Sequence, residues 1–310
     1  MQDLSVTDLT VAGVTEAVLA QMAATPDPRL RQVMASLVRH LHDFAREVTL
    51  TPGEWLAAIA FLTKTGHACT PARQEFILLS DVLGLSALVN LMHDATAQNL
   101  GTESSLLGPF YQQDAPSFAL GDSIAVAADG APLQVYGQVT DNAGHPVPGA
   151  TLQVWQADPD GTYDLQRHDG TVMDLRGNFV ADAEGRFHFR TLLPTGYPIP
   201  LDGPVGSLVT AQRRHGHRPA HIHVLVGAPG YRELVTALYL AGDPHIASDT
   251  VFGVSRSLVV SPVAADPAAP LPGMPAIRYD FQLAPTTEGH ATRDNGGRVG
   301  ADPASIMTAN

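Results

Sequence analysis

Two hydrophobic periods divide the chain. Up to about residue 105, apolar side chains recur at steps of three and four. Leu30, Val33, Met34, Leu37, Val38, Leu41, Phe44 and Ala45 predict an amphipathic helix over 28–48. Thr51-Pro52-Gly53-Glu54 sets a threonine at the N-cap, a proline in the first turn and a glutamate where a capping box needs it. The helix it starts carries Trp55, Ile59 and Leu62 and should stop near Gly66. Thr70-Pro71 predicts a third helix begun in the same way, with Phe76, Leu79 and Val82 on one face, and a shorter one follows from Leu85 to about Gln98.

From Pro132 the period is two. Leu133, Val135, Gly137 and Val139 alternate, Asp141 to Gly144 make a turn, and Ala150, Leu152, Val154 and Gln156 alternate again with Trp155 on the opposite face. Phe179-Val180, Ala183-Glu184-Gly185 and Phe187 to Phe189 predict a hairpin, and further strands fall at 221–226, 234–240, 256–261 and 276–283. Short strands between Gly- and Pro-rich turns indicate a β-sandwich or barrel. The predicted class is α+β: a helical part over 1–105, a β-sandwich over 106–285 and a loosely held tail over 286–310, where apolar periodicity stops.

Composition narrows the function classes. The net charge is −13, and one of the 18 basic residues, Lys64, is lysine; no basic run offers a footprint for nucleic acid or an anionic membrane. A single cysteine, Cys69, excludes an internal disulfide framework and a CxxC metal site. No apolar run reaches the length of a membrane span, and Met1 to Thr15 lacks a basic start followed by an apolar stretch, so the expectation is a soluble, cytoplasmic protein.

Seven of the 13 histidines lie between residues 168 and 245. His168 and His188 read as surface residues, and His215 and His217 sit in a polar, Arg-rich loop. His221-Ile222-His223 differs: two apart on a strand, both imidazoles share a face about 7 Å apart and can reach one ion. Alone, that pattern is weak. Tyr163, in a turn beyond a strong strand, and Tyr197, between Gly196 and Pro198, pack no periodic face. Each alone reads best as a loop tyrosine. Together they offer two hard phenolate oxygens, and two phenolates with two imidazoles favour Fe(III), whereas the imidazoles alone suit zinc, copper or ferrous iron equally.

The chain resembles the intradiol ring-cleavage dioxygenases, in the branch acting on catechol, chlorocatechol and hydroxyquinol. The resemblance rests on 37–48 and 73–84 in the helical part. In the sandwich it rests on Leu107-Gly108-Pro109-Phe110-Tyr111, Pro148-Gly149-Ala150, Gly196-Tyr197-Pro198-Ile199-Pro200 and Arg218-Pro219-Ala220-His221-Ile222-His223. It implies one non-haem Fe(III) held by Tyr163, Tyr197, His221 and His223, with Tyr163 and His221 equatorial and Tyr197 and His223 axial. It also implies cleavage by O₂ of the bond between the two hydroxylated carbons of an aromatic diol, with Tyr197 giving way as the diol binds. Arg218, which in isolation reads as a strand-entry arginine paired with a surface acid, would lie over the ring as a fixed cation.

By the same resemblance, Leu78, Asp81, Leu107, Gly108, Pro109, Phe110, Ile199, Pro200 and Val251 line the substrate pocket with Arg218. Pro198-Ile199-Pro200, the following Asp202 to Gly206 and Asp249 to Val254 resemble the hydroxyquinol members most. Asp81 could accept a hydrogen bond from a third hydroxyl, or could be a solvated helix-end aspartate. Ala237 stands where relatives carry glutamine or histidine, which removes a polar contact near the ring. The helical part resembles the segment that builds a homodimer with a phospholipid-like molecule between protomers. Catechol or chlorocatechol 1,2-dioxygenase is the alternative activity. The rival from another class is a non-enzymatic transthyretin-like sandwich, which 139–150 and 182–187 also resemble.

Overall fold

The structure is a computed structural model and describes residues 9–70, 73–96, 101–167 and 172–286. Internal contacts divide the chain into two compact units, Met1–Thr63 and Lys64–Asn310.

The first unit holds α1 (Val14–Met22), α2 (Pro28–Glu47) and most of α3 (Pro52–His67). Helix α2 starts where Asp27 Oδ1 accepts hydrogen bonds from the Arg29 and Leu30 amides and Pro28 fixes the first turn. At α3 the capping box forms: Thr51 Oγ1 accepts from the Glu54 amide at 3.3 Å, and Glu54 Oε2 accepts from the Thr51 amide at 2.9 Å. The apolar stripe of α2 is exposed at Val33, Leu37, Leu41 and Phe44, as are Trp55, Leu56, Ile59 and Leu62 of α3.

In the second unit α4 (Glu75–Val82) begins later than Thr70-Pro71 suggested. Thr70 and Arg73 exchange backbone hydrogen bonds at 2.8 and 3.1 Å, closing a turn, and Pro71 lies outside the described residues. The helix starts instead where the buried carboxylate of Glu75 meets Arg73 and accepts from the Val205 amide. Helix α5 (Leu85–Thr96) follows, and the predicted end near Gln98 lies outside the described residues. Among the described residues no single helix is long and apolar enough to cross a membrane.

Two sheets form the sandwich. In one, β1 (Pro132–Asp141) pairs antiparallel with β4 (Arg186–Leu192) and parallel with β10 (Ala276–Arg278) and β11 (Phe281–Leu283). The other runs β3-β2-β7-β8-β9, built from Arg176–Val180, Thr151–Gln156, His221–Gly227, Leu234–Leu240 and Val259–Val260. A two-stranded ribbon joins β5 (Tyr197–Pro198) to β6 (His217–Arg218). Leu133, Val135, Leu152, Val154, Phe179, Phe187, Phe189, Ile222, Val224 and Leu238 pack between the sheets.

The predicted hairpin around Ala183-Glu184-Gly185 is an arch. β3 pairs with β2 and β4 with β1, in different sheets. Phe179, Phe187 and Phe189 all enter the same core, so the turn carries the chain across the sandwich. The 276–283 strand splits because Tyr279 passes over β1 at Gly137, where a Cβ would lie 1.8 Å from the Tyr279 carbonyl oxygen. Residues 256–258 of the predicted 256–261 strand form a 3₁₀ turn before β9. Helix α6 (Pro204–Ala211) had no expectation attached to it, and His188 is half-buried where a surface residue was expected.

The five-stranded sheet is apolar on both faces. Period two sends Ile222, Val224 and Val226 to the inter-sheet core. It sends His221, His223 and Leu225 to the other face, where Trp155, Phe110, Tyr163 and Tyr197 form a second cluster with Leu225.

Candidate metal centre and active site

Strand β7 sets both histidines. Each imidazole is 2% exposed, and their Nε2 atoms are 3.0 Å apart. His221 Nδ1 donates to the Pro219 carbonyl at 2.7 Å, which puts the ring's lone pair on Nε2, the atom facing His223 and Arg218. Trp155, across the strands from His223, stacks on its ring at 4.8 Å with planes 4° apart. Burial, then Arg218, holds both imidazoles well below their ordinary range, so each is neutral at physiological pH.

The tyrosines arrive from separate turns. Gly161, at φ +82°, bends the chain into Tyr163, and a Cβ there would meet Tyr197 Cβ at 2.8 Å. Tyr163 and Tyr197 are buried, with their oxygens 3.1 Å apart, and Tyr197 lies 5.6 Å from His221 between ring centroids. Burial raises both phenols, and Arg218 pulls the other way.

Arg218 is not paired with a surface acid. It is 3% exposed, with Nη1 3.0 Å from His221 Nε2, Nη2 3.2 Å from Tyr239 Oη and Nε 3.3 Å from Asp249 Oδ1. The Val251 and Gly253 amides donate to the same Asp249 carboxylate.

Of the expected pocket residues, Phe110 stacks on Tyr163 at 4.3 Å, Leu107 packs in the same cluster, and the Cβ position of Gly108 lies 3.5 Å from the His223 ring. Leu78, Ile199 and Val251 are buried, whereas Pro109 and Pro200 are half-buried. Asp81 is buried, not solvated, and burial raises its carboxyl against the pull of Arg218. Ala237 lies directly across β8 from His223.

Residues 107–285 match the family described as "Dioxygenase", and residues 27–101 match "Catechol dioxygenase N terminus". The 6-chlorohydroxyquinol 1,2-dioxygenase of Cupriavidus pinatubonensis is 49% identical over 273 residues, 88% of this chain and 97% of that protein. The hydroxyquinol 1,2-dioxygenase of Rhodococcus opacus is 47% identical over 84% of this chain and 86% of its own. A solved hydroxyquinol 1,2-dioxygenase from Pseudomonas putida superposes with a TM-score of 0.81 at 44% identity, covering 89% of this chain and 99% of that one. The chain belongs to the intradiol ring-cleavage dioxygenases.

Intradiol dioxygenases are enzymes that use non-haem iron, O₂ and an aromatic diol, so the non-enzymatic sandwich is set aside. The four side chains suit such an ion: two neutral nitrogens and two ionisable oxygens, buried and facing one another. Among the described residues no cluster of three or more His, Cys, Asp or Glu could hold a metal. Tyr163 and Tyr197 are the oxygen donors that face this histidine pair.

Sequence reasoning missed how this dioxygenase site is braced. Arg176 is 1% exposed and forms a two-pronged ion pair with Asp164, next to Tyr163. Its Nη1 also donates to the Phe110 carbonyl at 3.0 Å. Arg176, Trp155, His223 and Ala237 form one cross-strand row over β3, β2, β7 and β8. Alternation along each strand contained that row, but the strand order that assembles it did not show in the sequence.

Proposed function

We propose that the protein is a hydroxyquinol 1,2-dioxygenase that holds one Fe(III) on Tyr163, Tyr197, His221 and His223. The observation carrying this reading is the buried convergence of two phenol oxygens 3.1 Å apart with two Nε2 atoms 3.0 Å apart. An iron held by Tyr163, Tyr197, His221 and His223 would supply Lewis acidity towards the diol and activate its ring towards O₂. Both oxygen atoms enter the product, and the bond between the hydroxylated carbons opens to 3-hydroxy-cis,cis-muconate, the enol form of maleylacetate.

The protein supplies the rest. Arg218, fixed by Asp249 and Tyr239, places a permanent cation where negative charge builds on the ring. Tyr197 Oη, between Tyr163 and Arg218, can hold a proton that the diol releases. Phe110, Leu107, Leu78, Ile199 and Val251 exclude water, Gly108, Pro109 and Pro200 shape the rim, and Asp81 accepts from the third hydroxyl. The relatives named for hydroxyquinol or its chloro derivative favour that substrate over catechol.

The division of labour follows the two family segments: 1–105 for dimerisation and 106–285 for catalysis, with α4 adding Leu78 and Asp81 to the pocket. The exposed apolar faces of α2 and α3 fit a homodimer interface with a phospholipid-like molecule in it. We place the enzyme in the cytoplasm, in keeping with the unbridged Cys69.

Metal analysis with visible spectroscopy tests the centre. One iron per chain and a phenolate-to-Fe(III) charge-transfer band are expected, bleached or shifted by Tyr163→Phe in a protein that still folds. A colourless protein with one zinc per chain, or a band unmoved by Tyr163→Phe, contradicts the assignment.

A further inference from the structure

We propose a second ligand site, for the dicarboxylate that ring opening yields, in a cavity that shares Asp249 with the Arg218 site. The choice of ligand rests on the hydroxyquinol reading above. The cavity has a volume of about 410 Å³ and lies between Arg213-Arg214-His215 and the loop from Ile246 to Val254. That volume is in the range of small-molecule sites, roughly 300–1,000 Å³.

Its charge runs against that of the chain. In a protein of net charge −13, two arginines and a histidine line one wall. The one acid in the lining, Asp249, is already met by Arg218 and by the Val251 and Gly253 amides. Arg214 is fixed by the Val82 and Thr250 carbonyls at 2.8 and 2.7 Å and lies 5.3 Å over the Phe252 ring. Arg213 forms no ion pair among the described residues, so its guanidinium is available to an anion. His215 Nδ1 accepts from the His217 amide at 3.2 Å.

One further feature marks the cavity as a ligand site. Thr250 lines it at 3% exposure, and its Oγ1 has no hydrogen-bond partner, a cost that a bound acceptor or donor would remove. Phe252 and its apolar neighbours suit a carbon chain, and Arg213 with His215 and the Thr250 hydroxyl suit its two ends.

The reaction turns an uncharged diol into a dianion, so the product is the ligand whose charge this cavity matches and the substrate is not. Asp249 forms a wall of both sites. A dicarboxylate bound here leaves the diol its own pocket.

Calorimetry with cis,cis-muconate, which the enzyme does not consume, tests this on the iron-loaded protein held anaerobically with saturating hydroxyquinol. One equivalent should bind with the diol in place. Arg213→Glu and Thr250→Val should each weaken binding by about tenfold or more, and equimolar acetate should not displace it. Oxygen uptake without added muconate should stay within about twofold for Arg213→Glu, because an exposed side chain outside the diol pocket is changed. Binding that vanishes when the diol is present, that survives Arg213→Glu, or that acetate displaces equally overturns the proposal. Enzyme that takes up no O₂ with any diol overturns the functional reading instead. Enzyme that turns over but binds no muconate beside the diol overturns only the second site.

Discussion

Trp155 lies flat on His223, with ring centroids 4.8 Å apart and planes 4° apart. The stack fixes the imidazole plane, and the Gly108 Cβ position lies 3.5 Å from the same ring. Trp155 is 2% exposed, and truncating it to Ala should cost about 3–5 kcal/mol of stability. Trp155→Ala should therefore lower both Tm and iron content, while Trp155→Phe, which keeps an aromatic face, should retain most of the iron. Full iron in Trp155→Ala with an unchanged visible band would show that the stack does not position His223.

The neutral histidines have a measurable pH signature. Burial first, then Arg218, holds His221 and His223 well below the ordinary imidazole value, near 6.5 in the unfolded chain. Below about pH 6.5 the unfolded state binds protons that the folded state refuses, so stability is lost as pH falls. Metal-free protein should lose up to about 1.4 kcal/mol per pH unit for each imidazole over that window. Urea titrations between about pH 5 and 7 give the slope, and replacing both residues by Asn should flatten it. An equal slope in the double variant contradicts the assignment.

Arg218 separates binding of iron from use of it. Arg218→Ala should keep iron and colour but slow kcat by about 3 kcal/mol, the scale of a lost oxyanion-type donor. It also strands the Asp249 carboxylate, so Arg218→Lys is the control: it restores the charge but not the fork that spans His221, Tyr239 and Asp249. Steady-state oxygen uptake with iron analysis decides. Wild-type kcat in iron-replete Arg218→Ala would reduce Arg218 to a structural ion pair.

Most of the fold and the His221-His223 pair were legible because local pattern carries them, whereas Tyr163 and Tyr197 joined the candidate ligand set through the family resemblance. Alternation placed His221 and His223 on one face of β7, and the capping box placed the start of α3. What failed was information held in pairing. The alternation from Phe179 to Phe189 is the same for a hairpin and for an arch, since both put the phenylalanines inward. Asp249, the partner of Arg218, lies 31 residues away and carried no local signal. Arg176 lies outside every predicted motif, and its place in the site depends on β3 pairing with Trp155 of β2 and on the ion pair with Asp164.

Asp81 should set selectivity among diols. Its carboxyl is buried, and burial keeps its pKa raised, so an unmet acceptor there penalises a diol without the third hydroxyl. Asp81→Ala should narrow the hydroxyquinol-to-catechol ratio of kcat/KM by slowing hydroxyquinol, by about 1–3 kcal/mol for one buried contact. In the unmodified enzyme the ratio should also narrow as pH falls through the raised pKa and the acceptor is protonated. An unchanged ratio in the variant would move the selectivity to Leu78, Ile199 and Val251.

The central claim is intradiol cleavage of hydroxyquinol at this centre, and oxygen uptake with product identification on the iron-loaded enzyme tests it most directly. The account predicts one O₂ consumed per diol, 3-hydroxy-cis,cis-muconate or maleylacetate as product with both atoms from labelled O₂, and a higher kcat/KM for hydroxyquinol than for catechol. A product cleaved beside the two hydroxylated carbons, not between them, or a preference for catechol would contradict it.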